Sequence, residues 1–388
     1  MKLFRKIIFW LHLLSGTIAG IIIFTMCVTG MLLAFEKQIV RFAERDFRFV
    51  NAGAVRIGIS EVIDRVRNEK PDLKIDSISI KSDPSSSITL SIGRENVLYV
   101  DPYSGKILGE GSRSVRSFFR SVTNVHRWLG SNEKNRATGK SITGICNIAF
   151  LILAISGLYL WWPRNWTPQQ VRAITWFQRN LKGRSRDFNW HNSIGFWCAP
   201  VLIILTLTGM IISYQWASNL LYTLTRTEKP PQSSPTNRSG GNSQAQLPSK
   251  IDQLLQRTQQ QIPKWETITF RLPAKADAPI SFSIEAAESI NPFARSELTF
   301  DAKTGNIAKY QSYATANTGR KLRVWARGLH TGEALRIPGQ ILAFVATTGG
   351  AFLVFTGLSL AVRRLRNWLR KRAVVFSVKQ MNETTESY

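Results

Sequence analysis

Four stretches of this chain are long and apolar enough to cross a bilayer, and nothing else in it restricts the fold as strongly. They run about 7–35, 142–162, 194–214 and 337–362, and none carries a charge in its central portion. A helix needs roughly 20 apolar residues to span hydrocarbon. Buried helices of globular domains are seldom this apolar for this long, so a soluble core is disfavoured. The N-terminus, MKLFRKIIFW, starts like a signal peptide. Its apolar run is too long for a cleaved signal and no clear small-x-small site follows, so it reads as a retained first span.

The formal charge of +26 suggests nucleic acid until the positions are considered. The basic residues gather beside the spans, at Lys2, Arg5 and Lys6, over 164–186, and from Arg363 to Arg372. That placement follows the positive-inside rule and contact with anionic headgroups, and it argues against nucleic-acid binding. It predicts both termini and the 163–190 loop in the cytoplasm, with two longer loops facing outward. Trp10, Trp161, Trp162 and Trp216 sit near span ends, as interfacial aromatics do. Cys27, Cys146 and Cys198 are scattered singly within spans, a pattern of neither disulfide framework nor zinc site. With no Cys-x-x-Cys-His, any haem is held without thioether bonds.

Spacing reveals a tandem repeat. His12, Gly16 and Gly30-Met31 have the same offsets as His191, Gly195 and Gly209-Met210, and VTGMLLAF lies over LTGMIISY. Gly139 precedes Gly157 by eighteen residues, as Gly339 precedes Gly357, and AISGLYLWWPR lies over VFTGLSLAVRR. The outer loops match too. Each reads as an amphipathic helix, a turn and an alternating strand, then two short strands joined by a turn that includes Gly105 or Gly305. A polar Pro/Gly/Ser-rich segment, about 227–248, reads as a flexible linker.

The four histidines, His12, His126, His191 and His330, each stand at or shortly before the start of a span. In the predicted topology the repeat pairs them by side, His12 with His191 at the cytoplasmic face and His126 with His330 at the outer face. Two imidazoles facing each other across a helix bundle can take both axial positions of an iron porphyrin. Gly16 and Gly195 lie one helical turn beyond their histidines on the same face, leaving room for a flat macrocycle. Eighteen residues are five turns, a rise of about 27 Å. Gly30 and Gly209 are therefore expected to face the second haem at the opposite surface. By the same arithmetic Gly157 and Gly357 open space at the inner site, and Gly139 and Gly339 at the outer one.

The plainer readings are an interfacial histidine in a wet region and glycine as a helix-packing residue. Two symmetric pairs with no histidine left over favour the ligand reading. A proton relay is disfavoured because no Asp or Glu stands mid-span. Met26, Met31 and Met210 are candidate iron ligands for which ordinary packing is the simpler role. Arg127, Arg323 and Arg327 outside, and Arg5, Lys6 and Arg186 inside, are candidate partners of haem propionates.

At these residues the chain resembles the PepSY-associated transmembrane family, the iron-regulated membrane proteins that include ferric-siderophore reductases of the bacterial inner membrane. The resemblance rests on His-x-x-x-Gly in the first span, HRWLG at 126–130, WHNSIG at 190–195, LHTG at 329–332 and the DPYSG turn at 101–105; the second module has DAKTG, without the proline. It implies a mainly α membrane protein with four transmembrane helices in a bundle, two outward-facing α+β PepSY-like modules and an internal duplication. The expected segments are a first transmembrane helix (1–36), outer module 1 (37–125), a second helix with its preceding His segment (126–163) and a cytoplasmic loop (164–190). A third helix (191–216), the linker with outer module 2 (217–325), a fourth helix with its His segment (326–363) and a basic tail (364–388) follow.

The resemblance also implies two non-covalent b-type haems and electron transfer across the bilayer to a ferric siderophore or another ferric chelate. The chain has no G-x-G-x-x-G, so the donor is expected to be reduced flavin, quinol or a reductase. The rival reading is a non-enzymatic, membrane-anchored PepSY binding or regulatory protein that needs no cofactor. A passive transporter is disfavoured because the spans lack obvious polar groups for a substrate.

Overall fold

The computed structural model of the chain describes residues 2–93, 96–163, 166–229, 250–273 and 278–385. From residue 230 onward the expected linker lies outside the described residues. In chain order the first half forms α1 (Lys2–Leu33), α2 (Glu36–Ala43), α3 (Arg45–Arg48), α4 (Ile59–Glu69), β1 (Ser77–Lys81), β2 (Ile88–Ile92), β3 (Asn96–Val100), β4 (Ile107–Glu110), α5 (Arg113–Trp128) and α6 (Arg136–Trp161). The second half forms α7 (Pro168–Thr175), α8 (Gly183–Ser213), α9 (Gln215–Leu224), α10 (Ile251–Gln261), β5 (Trp265–Arg271), β6 (Ile280–Ala286), β7 (Arg295–Phe300), β8 (Ile307–Gln311), α11 (Thr318–His330) and α12 (Arg336–Thr385). Two compact units result. One comprises Met1–Ala34, Val122–Met210 and Ile341–Tyr388; the other comprises Phe35–Ser121 and Ile211–Gln340.

Among the described residues, four helical stretches are long and apolar enough to cross a membrane: Leu3–Leu33, Arg113–Trp161, Gly183–Ser213 and Glu333–Ala373. In the first unit the narrow side of each helix packs inward. On α1, Ala19, Ile23 and Cys27 recur every four residues and are buried, while Leu11, Leu14, Ile18 and Ile21 are exposed. An inward stripe of small and branched residues with a broad apolar exterior suits helices whose outer solvent is lipid. Helix α12 is the hub. A Cβ on Gly349 would overlap Cys198 of α8, and one on Gly350 would come within 2.8 Å of Cys27 Sγ on α1. Small residues at these two positions let three backbones approach closely.

Two boundaries differ from the hydropathy reading. The basic tail does not leave the helix: α12 runs on to Thr385, its Arg, Lys, Leu and Trp residues being compatible with helix. The His126 segment is a helix of its own, α5, closed before α6 begins. The last two residues of HRWLG make that closure, Leu129 (φ 53°) and Gly130 (φ 73°) both being left-handed. Leu129 N–H bonds Val125 O at 2.9 Å, and Gly130 N–H reaches back to Asn124 O at 3.3 Å, so both turn in on the last turn of α5.

The second unit is built on one antiparallel sheet of eight strands, ordered β4-β3-β2-β1-β5-β6-β7-β8. In β1 the sequence SISIK buries Ile78 and Ile80 and turns Ser77 and Ser79 to the other face. Alternation of this kind gives a sheet one apolar face. Helices α4 and α10 cover that face, with Val62, Ile63, Val66, Ile251 and Leu254 packed on Leu90, Leu98, Ile268, Phe282 and Leu298. Asp252 of α10 also caps α4, accepting from Ile59 N–H at 2.5 Å and from Ser60 Oγ at 2.5 Å.

The two expected modules share one sheet. β1 pairs β5 in register, Ile78 opposite Phe270 and Ile80 opposite Ile268, which removes two open edges and merges the cores. β2 and β6 are additional strands. The turns fall where the sequence places them. Gly105 (φ 66°) and Gly305 (φ 71°) are left-handed, and each donates its N–H to the carbonyl of Asp101 or Asp301 at 2.9 Å.

Candidate cofactor site

His12 and His191 stand inside α1 and α8, each one turn before a glycine. Their imidazole centres are 6.4 Å apart with ring planes at 84°. Both rings line one cavity of about 690 Å³, a volume in the usual range of small-molecule and cofactor sites, roughly 300–1,000 Å³. Gly16 and Gly195 also line it. A Cβ at Gly16 would meet Leu153 at 3.6 Å, and one at Gly195 would meet Leu353 at the same distance. Trp161 and Phe196 stack at 4.3 Å on the cavity wall.

Each ring is oriented from a neighbouring helix. His12 Nδ1 lies 2.8 Å from Ser156 Oγ of α6, and His191 Nδ1 lies 2.9 Å from Thr356 Oγ1 of α12. Glycine follows each hydroxyl residue. A Cβ on Gly157 would lie 3.4 Å from His12 Cε1, and one on Gly357 would lie 3.3 Å from His191 Cε1. These two glycines therefore make room for the histidine rings themselves.

The geometry can be tested against a metal held between the rings. With a metal–imidazole bond of about 2 Å, two rings on opposite sides of one ion have centres roughly 6 Å apart, and the observed separation is 6.4 Å. Among the described residues no group of three or more His, Cys, Asp or Glu could hold a bare ion. Two imidazoles above an apolar, glycine-walled cavity suit a metal whose remaining ligands arrive with it, as in a porphyrin.

Cations collect on the same cavity: Arg5, Lys6, Arg184 and Arg364 line it. Arg5 also donates to Leu160 O at 2.6 Å, which closes the last turn of α6. Arg186 is placed differently from the sequence expectation. It pairs with the buried carboxylate of Asp187 at 3.0 Å and lies over the Trp190 ring, and the neighbouring Arg184 takes its place at the cavity. Asp187 in turn accepts from Ser359 Oγ at 2.9 Å and pairs with Arg363 at 3.3 Å, fixing α8 to α12 near the Thr356–His191 contact.

Elsewhere in the first unit, His126 Nδ1 lies 2.8 Å from Thr29 Oγ1, and a Cβ on Gly30 would lie 3.5 Å from His126 Cε1. The motif is that of His12 and His191 again. Gly209 is buried in α8. The guanidinium of Arg127 lies 4.7 Å from the Trp128 ring centre. Met31 accepts a hydrogen bond from Thr348 Oγ1 at 3.1 Å, and Met210 is buried among packing side chains. In the second unit, His330 ends α11, and Arg327 lies 4.5 Å from the Phe293 ring centre.

Gly139 and Gly339 have a role other than the one their spacing predicts. A Cβ on Gly139 would overlap Trp128 O, and one on Gly339 would overlap Gly332 O. They let the turn after each histidine helix close against the following helix. Sequence reading also missed the hydroxyls. Ser156, Thr356 and Thr29 each precede a glycine that the spacing singled out, and the dipeptide Ser/Thr-Gly was the available signal.

The family model described as the PepSY-associated TM region matches residues 9–364. A search of curated proteins finds no match to the chain.

Proposed function

The chain belongs to the PepSY-associated transmembrane family, and on that premise we propose that it is a di-haem electron carrier of the bacterial inner membrane that reduces a ferric siderophore or similar ferric chelate on the periplasmic side. The observation that carries this reading is the His12–His191 pair, its rings 6.4 Å apart on one cavity. A haem iron held by two imidazoles supplies reversible one-electron exchange. The tandem repeat of the sequence assigns a second b-type haem to His126 and His330. It also supports an origin of the chain by duplication.

The chain's own groups support the inner site in three ways. His12 and His191 offer nitrogen ligands from facing helices. Gly16 and Gly195 leave the cavity wall flat, and Leu153 and Leu353 keep it apolar. Arg5, Lys6, Arg184 and Arg364 offer charge partners for carboxylate substituents of the macrocycle. In the proposed topology both termini are cytoplasmic and the eight-stranded sheet faces the periplasm. The donor is reduced flavin, quinol or a reductase. One-electron reduction of the acceptor to Fe(II) weakens a hard-oxygen chelator's hold and releases the metal.

Detergent-purified protein from haem-replete cells is expected to be red, to carry two haems per chain and to show a Soret band that shifts on adding dithionite. A colourless preparation would overturn the proposal in favour of a cofactor-free PepSY binding or regulatory protein.

A further inference from the structure

We infer that Ser156, Thr356 and Thr29 are positioning residues that hold His12, His191 and His126 in the tautomer protonated at Nδ1, so that each imidazole offers the lone pair of Nε2 to a metal. The metal half of this inference rests on the proposed haem; the tautomer half does not.

A hydroxyl has one proton to give. Thr356 Oγ1 lies 2.8 Å from Phe352 O, and Thr29 Oγ1 lies 2.7 Å from Thr25 O. Both use the back-bond to the carbonyl one turn earlier that is habitual for helical Ser and Thr. Ser156 Oγ bonds Leu153 O at 3.3 Å. A carbonyl only accepts, so in Thr356 and Thr29 the hydroxyl proton is committed there and the oxygen turns a lone pair to the ring; Ser156, at the matching position of the repeat, takes the same assignment. Nδ1, at 2.8–2.9 Å, is then the donor. Nε2 keeps its lone pair, the form in which histidine binds metals.

This is how proteins fix metal-binding histidines, by giving the second ring nitrogen an acceptor that sets both tautomer and ring angle. Recurrence argues against coincidence. The three hydroxyls lie on three helices, α6, α12 and α1, and each is followed by a glycine against which the same imidazole packs. A fourth dipeptide, Thr208-Gly209, is buried in α8, and Thr208 Oγ1 makes the same back-bond, 2.6 Å to Ile204 O.

The test compares the full chain with Thr356→Val, which keeps shape and loses the hydroxyl, and Thr356→Ser, which restores it. Nitrogen-15 NMR of histidine-labelled, haem-free protein in detergent is expected to show His191 protonated at Nδ1 in the parent and in T356S. In T356V that preference should be lost. Titration with haem b should show binding at this site weakened roughly 10–100-fold in T356V, the usual loss when an outer-shell partner is removed, and recovered in T356S. Ser156→Ala, read at His12, serves if T356V does not fold. An Nε2-protonated His191 in the parent, or a T356V protein with unchanged tautomer and affinity, would overturn the inference. A parent chain that binds no haem would instead remove the proposed function, while the NMR result would still decide the tautomer.

Discussion

On the proposed di-haem assignment, replacing His191 with alanine is expected to lower the haem content of the purified chain from two to one, and replacing His12 to remove that same haem. The reason is local. The two rings are each other's nearest imidazole across the cavity, 6.4 Å centre to centre. In the proposed site, truncating one would leave a haem iron with a single protein ligand in an enlarged apolar space. The loss should exceed the roughly 10–100-fold that follows from disturbing a hydrogen-bond partner alone. Haem extraction and dithionite difference spectra read it directly. Free imidazole added to His191→Ala should restore part of the lost absorbance, since the side chain leaves a space of its own shape. His126→Ala should spare this haem and remove the other. If His12→Ala and His126→Ala instead removed one common haem, the pairing drawn from the repeat would be wrong.

The second large effect concerns Glu44, and it is one of stability. Its carboxylate is fully buried, yet it has a dense set of donors. Arg116 reaches it with Nε at 2.6 Å and Nη2 at 2.7 Å, Tyr99 with its hydroxyl at 2.6 Å, Arg48 at 3.2 Å and Ser112 N–H at 3.0 Å. Burial alone would raise its pKa, but the bonds from Arg116, Tyr99 and Arg48 outweigh burial and hold it below the ordinary glutamate value. Tyr99, pushed up to about 12 by burial and by its bond to Glu44, stays protonated as a donor.

Glu44→Ala would leave two arginines and a phenol facing an apolar gap. Removing one partner from a buried charge set typically costs about 3–5 kcal/mol, and denaturant unfolding of the second unit's sheet should show a loss of that order. The sign with pH follows. A group whose folded pKa is depressed contributes fully above its unfolded value and loses that contribution as pH falls through the folded one. The parent should therefore lose stability as pH drops below the ordinary glutamate range, and Glu44→Ala should lack this component of the acid loss.

How much of this was readable in advance depends on the range over which each feature is encoded. The spans were legible because twenty consecutive apolar residues admit few alternatives. The DPYSG and DAKTG turns were legible because a left-handed position beside an aspartate is a local signal. The single sheet was not: the β1–β5 pairing joins residues near 79 to residues near 269, and nothing within either strand names its partner. His12, His191 and their glycines were legible as spacing, and in the structure all four line one cavity. The Ser/Thr before each glycine was passed over because it was seen as part of a matching string, without asking what its hydroxyl could bond. Arg186 was named beside the plainer role of a juxtamembrane charge, and nothing in the sequence says which helix face it or Arg184 occupies. The buried Asp187 claims one of them.

The most direct measurement is electron paramagnetic resonance of the oxidised His126→Ala protein, which on the proposed pairing should retain only a haem held by His12 and His191. Were both rings ligands of that iron, their near-perpendicular planes, 84° apart, would give a low-spin ferric signal of strong g anisotropy that disappears when His12 or His191 is also replaced. A high-spin ferric signal, or a low-spin one that survives loss of either histidine, would contradict the account.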